Sequence, residues 1–282
     1  MAGLLSGLAG LGLGNLENVD VFEKPKKEEE KEQAVEQPKV EEKELIYEKV
    51  FECPVCDEKF PAKIMKTGKA KLLGTDQDLR AKYEGIDAVK YEVLLCPYCG
   101  YAGLMKYFPH ISSGQAKLVR ENISKQVQLH TYRDEIYTYE EAMERYQLCL
   151  ANAVVKRARA SEKAYICLKT AWLVRGWKES LAEEADKQAQ IDELTQAEEN
   201  YLLNAYNGFL EAVQSESFPM CGMDEMTLNY LLAILASHFK KYDVASKLVA
   251  SILTSTSANA RMKDKARDLK EQILEDIKKT KA

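Results

Sequence analysis

The sequence predicts an α+β chain that is mostly α: a small β-rich head, then a long helical body, behind an N-terminal tail with little to bury. Three observations predict it. Extended, apolar or alternating runs lead into two Cys-Pro-x-Cys turns within residues 45–112. No proline occurs between Pro109 and Pro219, and apolar residues there recur three and four apart, the period of an amphipathic helix. Residues 24–44 carry 14 charges in 21 positions, too polar a stretch to repay its ordering entropy. The boundaries that follow are 1–44 for a disordered N-terminal tail and linker, 45–112 for the head and 113–282 for the body. In 282 residues, 40 Lys and Arg against 45 Asp and Glu leave a net charge near −5, which argues against a chain built mainly to neutralise a phosphate backbone. No run of 18 apolar residues is present, so no transmembrane helix is expected.

In the tail, Leu4, Leu5, Leu8 and Leu11 fall at helical spacing, but five interspersed glycines each cost a helix about 1 kcal/mol. Two readings stay open: a segment that folds on docking, or a disordered end. Residues 1–23 contain no Lys or Arg, which disfavours a membrane-surface helix. The start lacks the basic region of an export signal, and Ala2 stands where N-myristoylation requires a glycine, so a reducing cytoplasm is the expected location. Within the head, residues 78–83 read as one or two helical turns with Asp76 as their cap. In the body, Thr138 and Glu141 have the spacing of a capping box. Three helices after it carry the stripes Ala142, Tyr146, Cys149; Ala205, Phe209, Ala212; and Ala245, Val249, Ile252. A small residue followed by a bulky one four later resembles the second helix of a tetratricopeptide repeat, although the period is irregular and the same stripe marks any amphipathic helix.

The cysteines carry the most specific chemistry. Cys53 and Cys56 form one C-x-x-C pair and Cys96 and Cys99 another, each with Pro after its first Cys. Each pair can turn both thiolates toward one point, and two pairs make the tetrahedral sulfur set that zinc prefers. The 39 residues between Cys56 and Cys96 exceed the usual spacing, so a zinc-ribbon-like head with an insertion is expected. Four sulfurs leave no ligand position for water or substrate, which describes one structural Zn²⁺ rather than a catalytic one. An iron–sulfur cluster uses the same four ligands, and the ligand count does not separate the two metals.

The segments FECPVCDEKF and GTDQDLRAKYEGIDAVKYEVLLCPYCGYAG, with AWLVRGW in the helical part, resemble the DUF2225 family of uncharacterised bacterial proteins over roughly residues 45–260. The resemblance implies a zinc-ribbon-like head and a tetratricopeptide-like body. It implies no catalytic residue.

Other candidates are weighed on their residue types alone. Trp172, Arg175 and Trp177 are candidates for partner binding, one Trp anchoring the core and the other stacking on Arg175 or lining a peptide groove. Asp76, Asp78 and His110 form a candidate secondary polar site, the paired carboxylates suiting a hard cation or a shared proton. Lys59, Lys63, Lys66, Lys69 and Lys71 make a basic run, but residues 46–112 hold 10 basic and 9 acidic side chains, so no strong field results. Cys221, in the break after Pro219, is the most reactive-looking of the remaining thiols, while Cys149 and Cys167 read as buried small hydrophobes. The function expected from these residues is that of a non-enzymatic scaffold binding a protein or peptide. The alternatives are a nucleic-acid-binding regulator using the ribbon, and an enzyme with a site between head and helices.

Overall fold

A computed structural model describes residues 40–130, 132, 134–182 and 184–281. The expectations for the tail at 1–23 and for linker residues 24–39 lie outside these. Six short strands form three antiparallel pairs, and seven α-helices follow among the described residues. The chain is therefore α+β and mostly α.

Strands β1 (Ile46–Glu52) and β2 (Lys59–Met65) pair along their whole length, with Phe51 opposite Phe60 and Tyr47 opposite Ile64. Phe60, Ala62 and Ile64 alternate with Lys59, Pro61 and Lys63, so one face of β2 turns inward and is buried. Strands β3 (Leu72–Thr75) and β4 (Ala81–Tyr83) form the second pair. Here the expected helical turns at 78–83 are corrected: Asp76 N donates to Arg80 O at 2.8 Å, and Leu79, at φ 76°, donates back to Asp76 O, closing a hairpin turn. The local sequence tolerates a helix, but the acidic tip is drawn into ion pairs with a distant helix, and those prevail over propensity. Strands β5 (Val93–Leu95) and β6 (Ala102–Leu104) make the third pair.

The end of the charged segment also departs from expectation. Residues Glu42–Leu45 form a 3₁₀ turn rather than solvated linker. Glu42 accepts from the buried Lys90 Nζ and, at 2.7 Å, from Tyr91 OH, while Leu45 is buried. Charge density alone misses this, because the partners of Glu42 lie in the insertion between the cysteine pairs.

Helix α1 (Ser113–Val119) opens with a full capping box from Ser112 and Gln115 and runs on into a π-helical turn at Arg120–Ser124. Helix α2 (Tyr139–Val155) is capped by Thr138, whose hydroxyl accepts from Glu141 N. The expected reciprocal bond is replaced, since the Glu141 carboxylate takes Arg145 one turn on. Helices α3 (Ala160–Leu181), α4 (Gln188–Ser215), α5 (Glu225–His238), α6 (Tyr242–Thr254) and α7 (Ala260–Lys281) complete the body, with α3 on α4, α5 on α6 and α6 on α7. The nine stripe residues of α2, α4 and α6 are all buried, so each stripe is the inward face of its helix.

Two apolar cores meet at the third hairpin. Val93, Ala102 and Leu104 belong to the helical core, whereas Leu94 and Tyr101 belong to the core around the four cysteines, with Phe60, Phe108 and Val119. Because side chains alternate across a strand, β5 sends Val93 one way and Leu94 the other and so joins the cores. At about 1.5–3 kcal/mol per fully buried large apolar side chain, this short hairpin contributes strongly to holding the head against the body.

Candidate metal centre

Both cysteine pairs sit at hairpin turns built to one plan. Glu52 pairs with Lys59 across the first turn and Leu95 with Ala102 across the second, enclosing residues 53–58 and 96–101. Cys53 N donates to Glu58 O and Cys96 N to Tyr101 O, each at 2.9 Å. Asp57 N donates back to Cys53 O at 2.8 Å, and Gly100 N to Cys96 O at 3.0 Å. The residue after the second Cys takes a left-handed backbone in both turns, Asp57 at φ 63° and Gly100 at φ 72°. That conformation folds the chain back and points both sulfurs of a pair the same way. Gly suits it without strain, and Asp is one of the few other residues that adopts it readily.

The four sulfurs meet between the hairpins. Cys53 Sγ lies 3.6 Å from Cys99 Sγ, Cys56 Sγ lies 3.6 Å from Cys96 Sγ, and all four fall within 4.8 Å of one another. A tetrahedral sulfur cage with metal–sulfur bonds of about 2.3 Å has edges of about 3.8 Å, so these positions fit a metal ion. They do not fit disulfide pairing, which needs about 2.05 Å. Cys53 and Cys96 are fully buried, Cys99 nearly so and Cys56 partly. Crowding divides the protons unevenly. The neighbouring Cys53 and Cys99 sulfurs hold Cys96 well below the usual thiol range, while crowding against Cys96 raises Cys53, and crowding against Cys53 and Cys96 raises Cys99. A bound cation that accepts all four as thiolates removes this competition.

Each turn is braced from outside, by different chemistry. Arg120, just beyond α1, donates to Val55 O in the first turn at 2.7 Å. Asn152, fully buried on α2, donates to Gly100 O in the second at 3.0 Å and to Leu148 O at 2.9 Å.

The insertion between the cysteine pairs ties the head to the helices through a partly buried charge network. Arg175 on α3 donates to both Asp78 oxygens (3.1 and 2.8 Å), to Asp76 at 3.2 Å and to Glu198 of α4 at 2.7 Å. Trp172 Nε1 donates to Asp78 Oδ2 at 3.0 Å. Arg80 pairs with Asp87 and Glu179, and burial raises the Asp87 carboxyl above its usual range against the pull of Arg80. The structure thus brings Asp76 and Asp78 together with Trp172 and Arg175. It leaves His110 out, exposed in the loop before α1 beside Ile111, which packs on the cysteine core. Trp172 is buried with its indole committed, and Trp177 stacks on Tyr139 at 6.1 Å rather than on Arg175.

The lysine run is partly spent on surface contacts within the chain. Lys63 donates to Asp134 O and lies over the Tyr137 ring, Lys66 donates to Glu44 O at 2.8 Å, and Lys71 lies 3.9 Å from Glu84. Cys221 donates to Ser161 O at 3.3 Å, and burial raises its thiol pKa, the opposite of activation. Burial pushes Cys149 to about 12 and Cys167 to about 11, as fits inert core thiols. Residue types alone give no sign of Asn152, Arg80 or Glu198, each of which has a partner far away in sequence: Gly100 for Asn152, Glu179 for Arg80 and Arg175 for Glu198. Among the described residues no helix is long and apolar enough to cross a membrane.

No curated protein and no solved structure matches the chain. Residues 46–273, most of the sequence and all four clustered cysteines, match the family described as an uncharacterised protein conserved in bacteria, so the chain belongs to the DUF2225 family.

Proposed function

We propose that this chain is a non-enzymatic interaction protein in which one structural Zn²⁺, held by Cys53, Cys56, Cys96 and Cys99, fixes the head, and tetratricopeptide-like helix pairs present a surface to a protein or peptide. The observation that carries the reading is the donor set: four convergent sulfurs with no fifth ligand group in the cluster among the described residues, which suits a closed site in which a metal supplies folding energy rather than chemistry. Trp172 and Arg175 serve the head–body tie, so of the expected trio Trp177 is the partner-facing residue. It lines a groove of about 600 Å³ with Met143, Leu148 and Ala151 of α2. Tryptophan and methionine beside a helix face suit an apolar peptide anchor.

Native mass spectrometry of the freshly purified chain tests both halves. One zinc per chain, with a co-purifying protein or peptide that Trp177→Ala releases, is the expected result. An iron–sulfur mass or a metal-free chain overturns the zinc assignment, and a partner retained by Trp177→Ala overturns the surface.

A further inference from the structure

A cavity of about 430 Å³ lies between the head and the helices, within the size range of small-molecule sites. Its walls are mostly apolar, with the rings of Tyr47, Tyr83 and Tyr91 from the head and of Tyr165 and Trp172 from α3 set among aliphatic and methionine side chains. The two charged lining residues, Glu92 and Lys169, form an ion pair with Nζ 2.7 Å from Oε2 and 2.9 Å from Oε1. Lys169 Nζ also lies 4.7 Å from the Trp172 ring centre and 5.3 Å from that of Tyr165. Burial works against its charge, yet Glu92 and Tyr165 more than offset that and raise its pKa, so the ammonium stays charged.

The pair is asymmetric in a way that matters. The side chain of Lys169 is 11% exposed and that of Glu92 is 35% exposed. Glu92 can turn out into water at little cost, whereas Lys169 is fixed in the cavity wall and needs an anionic partner there. A cationic ligand meets repulsion from Lys169. A neutral ligand can hydrogen-bond to the pair but neutralises neither charge. A dianion exceeds what one ammonium can neutralise. An apolar body carrying one carboxylate satisfies both the apolar walls and Lys169.

We propose that the cavity between the head and α3 binds an amphipathic monocarboxylate, an aryl or alkyl acid whose carboxylate takes Lys169 in place of Glu92. The same chemistry is offered by a free acid and by the C-terminal residue of a peptide.

Trp172 lines the cavity and Trp177 does not, so a Trp177→Phe chain carries a single tryptophan reporting on the site. Its emission is titrated with decanoate and 4-phenylbutyrate, with their primary amides, and with a short peptide ending in Phe as free acid or amide. Saturable responses to the acids, at least about tenfold stronger than to the amides, are expected from a charge-assisted contact to a buried ammonium. The free acids or the peptide acid, whichever binds at the lower concentration, identify the source. Lys169→Met should abolish the preference for acid. Should that variant fail to fold, Glu92→Gln decides: it keeps the shape, removes the competing carboxylate and should tighten acid binding several-fold. A purely structural ion pair predicts no such gain. No saturable response to any acid, equal binding of acid and amide, or unchanged or weaker acid binding by Glu92→Gln overturns the proposal.

Discussion

The two cysteine turns share a backbone but not a setting. Each has six residues, the same pair of crossing hydrogen bonds and a left-handed residue after its second Cys. The first closes a long hairpin whose β1 side chains are mostly exposed, and it is braced by Arg120, itself exposed. The second closes a short hairpin buried between two cores and is braced by the fully buried Asn152. Local sequence therefore makes the turn, and the surroundings decide which turn anchors the centre. The second is the half packed between both cores, and the first rests on the cysteine core alone.

The largest effect should treat the halves alike. Cys53→Ser and Cys96→Ser each break the same four-sulfur cage, so both should lose metal and collapse much of the head's stability. Structural zinc supplies about 10–16 kcal/mol in small finger peptides. Metal content and thermal melting are the measurements, and a metal-free variant that melts like the parent would remove the metal from the folding account.

The next test separates the halves. A Cβ at Gly100 would lie 2.6 Å from Val127 Cγ1, on a left-handed backbone, so Gly100→Ala should cost at least about 2 kcal/mol by strain and collision together. Asp57→Ala faces the backbone cost without that packed neighbour and should lose about 1 kcal/mol. Equal losses in chemical denaturation would contradict the difference in packing between the two turns.

Smaller still is the difference between the braces. Asn152→Ala strands a buried Gly100 carbonyl and should cost about 1–2 kcal/mol, whereas Arg120→Ala lets water replace an exposed donor and should cost about 0.5 kcal/mol. Last, Asp57→Gly relieves the left-handed backbone and should raise stability by a few tenths of a kcal/mol to about 1. A loss there would mean that the Asp57 side chain has a role beyond its backbone.

What is legible in the sequence follows the range of the forces involved. The four clustered cysteines can be read because C-P-x-C turns are local and each turns its two sulfurs the same way. The inward stripes of α2, α4 and α6 can be read because burial imposes the helical period. The tip at Asp76–Asp78 reads wrongly as the start of a helix, since its partners Trp172 and Arg175 sit about a hundred residues away. Glu42 reads as solvated linker for the same reason. Residue type groups His110 with the aspartates, and the fold leaves it exposed in the loop before α1.

Residues close along the chain suffice to specify the two cysteine turns, the α+β division and the buried face of each striped helix, because each is a local property. Three features emerge only on folding: the insertion between the cysteine pairs docks on α3, Asn152 braces one turn and Arg120 the other, and a mostly apolar cavity opens where head meets helices. Those depend on ion pairs, hydrogen bonds and packing between segments whose separation in sequence carries no trace of their proximity in space.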